Sequence, residues 1–276
     1  MGAPRSRLRK WLLRVAAVGA LLFMLDSVAR QMLYPAPAVP VPSPPPPPLE
    51  EVRLDLAAGG HAMAWASIDP GLPPDAPLAI FFHGNGENLE TLRWAGLFDE
   101  LRRLRVAILA ADFPGYGRSP GSPSEEGLLA TGDAAVAWAR KHHPGRPVVV
   151  CGWSLGAALA IATAARHPGE VSGLVALSSW TTLDETARLI FPGFVVKALL
   201  RERYDSRAAA KEVRVPALVI HGERDDLIPV SQGKEISETL AGSTRWVPVP
   251  RAGHNDLLGE RVVWEEMEGF FRQISG

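Results

Sequence analysis

The chain has 276 residues, 47% of them apolar and 21% charged, which is enough apolar material for one large domain. Its 29 Lys and Arg against 30 Asp and Glu leave a formal charge of -1, so no basic excess points to nucleic acid or another polyanion as a partner. One cysteine, Cys151, excludes an internal disulfide framework and a cysteine-rich zinc site, and its place in an apolar run predicts a buried thiol.

Arg5, Arg7, Arg9 and Lys10 precede an apolar run from Trp11 to Leu25, interrupted only by Arg14 and closed by Asp26. At about fifteen residues the run is short of the roughly twenty that cross a bilayer. It lengthens to Tyr34 if Arg14 snorkels and Asp26 and Arg30 lie at the far interface. No small-x-small cleavage site follows, so residues 1–34 read as a retained membrane anchor or signal segment, with a cleaved signal peptide as the alternative. Positive charges before the run place the rest of the chain on the non-cytoplasmic side, or outside the cell if the segment is cut. Residues 35–49 are proline-rich, with a run from Pro44 to Pro48, and are expected to form a stiff polyproline spacer.

Residues 50–276 alternate short apolar runs with longer helical stretches. Strands are expected at residues 52–56, 62–66, 78–82, 106–111, 148–151, 174–177, 217–220 and 246–249. Helices are expected at 89–103, 124–142, 155–166, 183–200, 231–240 and 260–272, with Ser122-Pro123-Ser124-Glu125 as a capping box for the second. Unbroken apolar strands separated by helices imply a doubly wound, mostly parallel α/β sheet covered on both faces. Such a sheet binds its ligands at the carboxyl ends of its strands.

The most specific signal stands between the strand at 148–151 and the helix at 155–166. Gly152-Trp153-Ser154-Leu155-Gly156 is a nucleophile elbow: glycines allow strand and helix to approach, and the serine is forced into strained backbone angles that expose its hydroxyl. A serine hydroxyl needs a base to take its proton, and the base needs an acid to hold its tautomer. Two later strands end in candidates for both. The strand at 217–220 runs into His221-Gly222-Glu223-Arg224-Asp225-Asp226, and the strand at 246–249 into Ala252-Gly253-His254. His254 alone follows the acid turn and is the expected base. His83 and His221 precede glycines at strand ends and read as structural. Asp225 and Asp226 both qualify as the acid on position alone.

From Leu49 onward the chain resembles the α/β-hydrolases, whose acid turn matches Gly222, Asp225 and Pro229; the resemblance implies Asp225 as the acid. It further implies that His83-Gly84-Asn85-Gly86 is the oxyanion loop, with the backbone N–H of Asn85 as one donor and that of Leu155, after the nucleophile, as the other. Asp112-Phe113-Pro114-Gly115-Tyr116-Gly117-Arg118-Ser119 is similar to a structural turn of the same family. The resemblance implies an eight-stranded α/β-hydrolase fold with a short cap insert between Ser178 and Pro216. Leu189, Ile190, Phe191, Phe194 and Val195 of the insert, with Trp153 and Trp180, are candidate walls of an acyl pocket, or simply helix packing. The anchor and the His83–Asn88 loop resemble a membrane-anchored subgroup that includes protein depalmitoylases.

The expected activity is that of a serine hydrolase cleaving carboxylic esters or thioesters, with no cofactor and no metal. Its partners would be a small-molecule or acylated substrate and a membrane through the N-terminal segment, not nucleic acid. A peptidase or acyltransferase would use the same residues. A non-catalytic, membrane-tethered binding module would predict a degraded set, whereas all members are present.

Overall fold

The computed structural model describes residues 30–275; the apolar run at 11–25 lies outside them. Among the described residues no helix is long and apolar enough to cross a membrane. The strands are β1 (Glu50–Asp55), β2 (His61–Ser67), β3 (Leu78–Phe82), β4 (Ala107–Ala111), β5 (Val148–Trp153), β6 (Gly173–Leu177), β7 (Ala217–Gly222) and β8 (Thr244–Val249). They form one sheet in the order β1-β2-β4-β3-β5-β6-β7-β8. β2 pairs antiparallel with β1 and β4, and every other pairing is parallel. All eight expected strands are present, their ends displaced by two residues or fewer.

Side-chain alternation splits the core into two layers, one on each sheet face. Leu78, Ile80, Phe82, Val148, Val150, Leu174 and Ala176 pack into one cluster. Their neighbours Ala79, Phe81, Val149, Cys151, Val175 and Leu177 pack into the other. Each fully buried Leu, Ile, Val or Phe contributes about 1.5–3 kcal/mol, so the central strands are fixed in register from both sides. Cys151 lies inside, as its apolar setting predicts, and burial pushes its thiol up.

The helices are α1 (Leu89–Trp94), α2 (Leu97–Arg103), α3 (Glu125–His142), α4 (Leu155–Arg166), α5 (Leu183–Ile190), α6 (Gly193–Leu199), α7 (Ser206–Ala210), α8 (Val230–Thr239) and α9 (Arg261–Ile274). Two single helices expected from the sequence are each broken in two. The stretch at 89–103 is cut at Gly96, whose left-handed backbone (φ 79°) ends α1 and turns the chain into α2. The stretch at 183–200 is cut at Phe191-Pro192. Proline restricts the residue before it, and Phe191 is extended at φ -119°, ψ 148°. α3 also starts differently: Ser124, not Ser122, is the N-cap, its side chain accepting from Gly127 N–H. Glu125 does not close a capping box. Its carboxylate accepts from the backbone N–H groups of Arg203 and Tyr204 and ties the cap insert to the domain.

The proline-rich segment is attached to the domain over part of its length. Pro45 and Leu49 are buried, and Asn88 Nδ2 donates to Val39 O at 2.8 Å. Residues 30–33 are helical, and Tyr34, 4% exposed, shares a hydrogen bond of 2.7 Å with the hydroxyl of Tyr204. A spacer reading rests on composition alone. Composition does not register that the carbonyls of a proline-rich chain are unspent acceptors for nearby amide donors.

Candidate active site

The elbow between β5 and α4 is as tight as its glycines imply. A Cβ on Gly152 would lie 2.0 Å from Gly156 O, and one on Gly156 would lie 2.0 Å from Phe82 O at the end of β3. Gly156 O belongs to the first turn of α4 and Phe82 O to the end of β3, so neither can move without disrupting its element, and no side chain fits at either position. Ser154 pays for that approach with φ 56° and ψ -114°, a region that L-residues rarely adopt. Its amide donates to Leu177 O on β6 at 2.9 Å, which fixes the strained turn.

Ser154, His254 and Asp225 form one hydrogen-bonded line, although they are contributed by the turn after β5, the loop after β8 and the loop after β7. His254 Nδ1 is 2.7 Å from Asp225 Oδ2, and His254 Nε2 is 3.0 Å from Ser154 Oγ. A carboxylate only accepts, so Nδ1 carries the ring proton of the neutral imidazole, and Nε2 is left to accept from the serine hydroxyl. Trp153 packs beside the imidazole, ring centroids 5.3 Å apart, and restricts its swing.

Asp225 is the acid that the structure brings to His254. Asp226 is exposed. Asp225 Oδ1 accepts from the backbone N–H groups of Leu227 (3.0 Å) and Ile228 (2.7 Å), so the turn itself orients the carboxylate. Burial works to raise its pKa, but hydrogen bonds from His221, His254 and Ile228 N–H outweigh it and hold the carboxyl well below the usual range. His221 therefore does more than the structural reading allowed. Its Nε2 faces Ile228 O at 2.8 Å and Asp225 Oδ2 at 3.2 Å, both acceptors, so it donates to both and adds a second donor to the oxygen that holds His254. His83 matches the structural reading: it is fully buried, donates through Nδ1 to Gly84 O, and is pushed down to about 4 by burial, hence neutral.

The loop after β3 starts beside the elbow, with His83 O 2.6 Å from where a Cβ on Gly156 would stand. Leu155 is the first residue of α4, where a backbone N–H has no acceptor within the helix. Asn85 has its side chain clamped, its Oδ1 accepting from Tyr116 Oη at 2.6 Å and its Nδ2 donating to Leu33 O. Glu87, which sequence reasoning passed over, accepts from Gly84 N–H at 2.9 Å and closes the loop on itself. Burial raises its carboxyl to about 7, against the lowering influence of that N–H and of His254. Asp112 lies under the same loop, accepting from Leu89 N–H at 3.0 Å, and burial raises it to about 7.

Those two carboxyls imprint a pH dependence on stability. In the folded protein each holds a proton up to about pH 7, whereas in the unfolded chain they release it near their ordinary values of 4.5 and 3.8. The native state then binds more protons than the unfolded state across that window, so stability falls as pH rises from about 4 to about 7. Glu87→Gln combined with Asp112→Asn keeps an acceptor oxygen for each N–H and removes both titrations. The double variant is expected to show a flatter decline in denaturation midpoint over this range. An undiminished slope would refute the assignment.

Of the expected pocket residues, Phe191, Ile190 and Val195 line an apolar groove of 320 Å³ between α5, α6 and the chain at Met32–Leu33, and Asn85 and Leu227 line it as well. Trp153 and Trp180 do not line it. Trp153 is turned onto His254 and onto Gly84, where a Cβ would come within 2.5 Å of its ring. Trp180 is buried, donates to Tyr204 O at 3.3 Å and packs edge-on against that tyrosine, so it anchors the cap. Leu189 and Phe194 point outward, 57% and 77% exposed.

A family model described as the alpha/beta hydrolase fold matches residues 77–203. An uncharacterized protein of Mycobacterium tuberculosis is 34% identical over 203 residues, covering 72% of this chain and 71% of that protein. Alpha/beta hydrolase domain-containing protein 17B of Xenopus tropicalis is 32% identical over 205 residues, 72% of this chain and 68% of that one. Among solved structures, an esterase of Pyrococcus furiosus superposes with a TM-score of 0.70 at 20% identity, covering 87% of this chain and all of that one (100%). Est1E of Butyrivibrio proteoclasticus, solved with ferulic acid, superposes at 0.68 with 22% identity, covering 80% and 98%. Likeness at those identities establishes the fold, an eight-stranded, mostly parallel sheet. Identity above 30% over more than two thirds of both chains, carried on that sheet, makes this chain a member of the α/β-hydrolase family.

Proposed function

We propose that the protein is a serine hydrolase that cleaves carboxylic esters or thioesters through an acyl-enzyme. The observation that carries this reading is the hydrogen-bonded line from Asp225 through His254 to Ser154 at a strained elbow. Ser154 Oγ attacks the carbonyl carbon as His254 Nε2 takes its proton. The carbonyl oxygen, now negative, is held by the N–H groups of Asn85 and Leu155, each such donor contributing on the order of 3 kcal/mol in the transition state. His254 returns the proton to the departing alcohol or thiol. Water, activated by the same imidazole, then releases the acid and restores Ser154. Asp225, held ionised by its donors, orients His254 and balances the imidazolium that forms.

For the substrate, the apolar groove favours a carboxylic ester or thioester with an aliphatic acyl chain, since its lining includes Ile190, Phe191, Val195 and Leu199 together with Asn85 of the loop after β3. The similarity to bem46 of Schizosaccharomyces pombe and to protein 17B supports grouping the chain with those proteins, and the membrane reading rests on the apolar run at 11–25 behind Arg5, Arg7, Arg9 and Lys10. The segment before residue 30 then tethers the domain on the non-cytoplasmic side.

The test is a substrate profile. Matched p-nitrophenyl esters, thioesters and anilides, from acetyl to palmitoyl, separate an esterase or thioesterase from a peptidase, and added acyl acceptors expose transferase activity. Ester or thioester turnover is expected, together with labelling by a fluorophosphonate probe; an inert protein would overturn the reading. Ala187→Trp, which fills the groove, is expected to lower kcat/KM for the palmitoyl ester by about tenfold while leaving the acetyl ester within about twofold.

A further inference from the structure

The chain before β1 is hydrogen-bonded to the loop that carries Asn85 at two points. Leu33 O accepts from Asn85 Nδ2, and Val39 O accepts from Asn88 Nδ2 at 2.8 Å. Between them Pro35 O lies close to the loop, 3.7 Å from where a Cβ on Gly86 would stand. These contacts fall in the middle and at the C-terminal end of the loop at residues 83–88. Residues 83–88 have no regular structure, and two of the six are glycine, one of them at φ 81°. The side chain of Asn88 is also used twice. Its Oδ1 caps α1 through the N–H groups of Glu90 (3.1 Å) and Thr91 (3.0 Å), and its Nδ2 reaches the N-terminal chain.

The N-terminal chain is itself fastened away from the site. Tyr34 is buried, with its hydroxyl 2.7 Å from that of Tyr204, which is also buried and lies 170 residues further on. Asn85 is thus held from two sides, by Tyr116 Oη from within the domain and by Leu33 O from outside it. A backbone donor stabilises a developing oxyanion only if it is aimed before the reaction begins, and an error near 1 Å can cost about a hundredfold in rate.

We propose that residues 33–39 form a positioning strap for the oxyanion loop: pinned at Tyr34, they hold Asn85 and Asn88 by backbone carbonyls and so set the aim of the Asn85 N–H. The inference rests on the serine hydrolase reading and extends it, because it makes turnover depend on chain N-terminal to the sheet. Leu33, Val39 and Tyr34 are positioning residues.

The test uses the full chain and p-nitrophenyl acetate, whose short acyl group makes no use of the groove. Tyr34→Ala, which frees the strap, and Asn85→Ala, which keeps the backbone N–H but loses its side-chain ties, are each expected to lower kcat about tenfold with KM changed by less than about twofold. Because both remove the same support, the double variant is expected to be no slower than the slower single variant. Tyr34→Phe keeps the packed ring and is expected to recover most of the rate. Tyr116→Phe breaks only the inner tie and should cost less than Asn85→Ala. Fluorophosphonate labelling of Ser154 should persist, more slowly, in all five variants. The proposal is overturned if Tyr34→Ala lowers the melting temperature and leaves kcat unchanged, or if the losses of the two single variants multiply. If Tyr34→Ala does not fold, Asn85→Ala and Tyr116→Phe decide, and equal rates overturn the strap. A wild-type protein that neither hydrolyses the ester nor takes the label would defeat the hydrolase reading itself, and the strap's role in turnover with it.

Discussion

Replacing Ser154 with alanine is expected to lower kcat for ester hydrolysis by about 10⁶-fold, abolish fluorophosphonate labelling, and leave the fold intact. The size of the effect follows from the mechanism. Without the hydroxyl no acyl-enzyme forms, and the residual rate is only what the oxyanion donors and substrate binding provide to direct attack by water. The fold survives because the elbow is set by Gly152 and Gly156 and by the Ser154 backbone N–H to Leu177 O, none of which needs the Oγ. Alanine at φ 56° is no worse placed than serine. The measurement is stopped-flow hydrolysis beside a thermal melt. Turnover and labelling that persist at a matched melting temperature would remove Ser154 from the chemistry.

Asparagine at position 225 is expected to cost about 10⁴-fold in kcat, while asparagine at 226 stays within about twofold. The carboxylate of Asp225 presents only acceptors, two to backbone N–H groups and two to the rings of His254 and His221. A carboxamide turned to keep the Leu227 and Ile228 N–H bonds points its NH₂ at both imidazoles. His254 must then accept at Nδ1, which moves its proton to Nε2, and a protonated Nε2 cannot take the proton of Ser154. The protein remains folded and the base is held in the wrong tautomer. Asp226 is exposed and faces neither ring, so the same exchange there changes only a solvated charge. Equal losses at the two positions would show that the acid turn acts through its net charge rather than through the contact with His254.

The contrast between these aspartates shows what a sequence can and cannot carry. Position along the chain admits both, because each follows a strand end and precedes His254. Resemblance to a family motif favours one. What separates them physically is which carboxylate meets Leu227 N–H, Ile228 N–H and two imidazoles at once, and that depends on the adjacency of β7 and β8. His221 illustrates the same limit. Its place before a glycine at a strand end suggests a local structural bond, and its contact with Asp225 emerges only when the turn folds back over it. Glu87 and Tyr116 stand in turns that the resemblance marks, but nothing local assigns either of them a contact, and the carbonyls of Leu33 and Val39 carry no side-chain signature at all.

Local chemistry fixed what the sequence by itself determined. Apolar runs that alternate with amphipathic stretches specify eight strands and most of the helices, and paired glycines around Ser154 specify the elbow, because both are patterns a few residues long. Serine, acid and histidine could be placed in order for the same reason, each standing where a strand stops. Helix breaks at Gly96 and Pro192 were local too, but there backbone restriction outweighed an apolar pattern that runs through both residues. Only the tertiary structure decided which aspartate serves His254, which aromatic side chains face the groove, and how the proline-rich chain reaches Asn85 and Asn88. Those contacts join residues between 29 and 170 positions apart, and their free energy comes from hydrogen bonds completed only when distant strand ends are brought side by side.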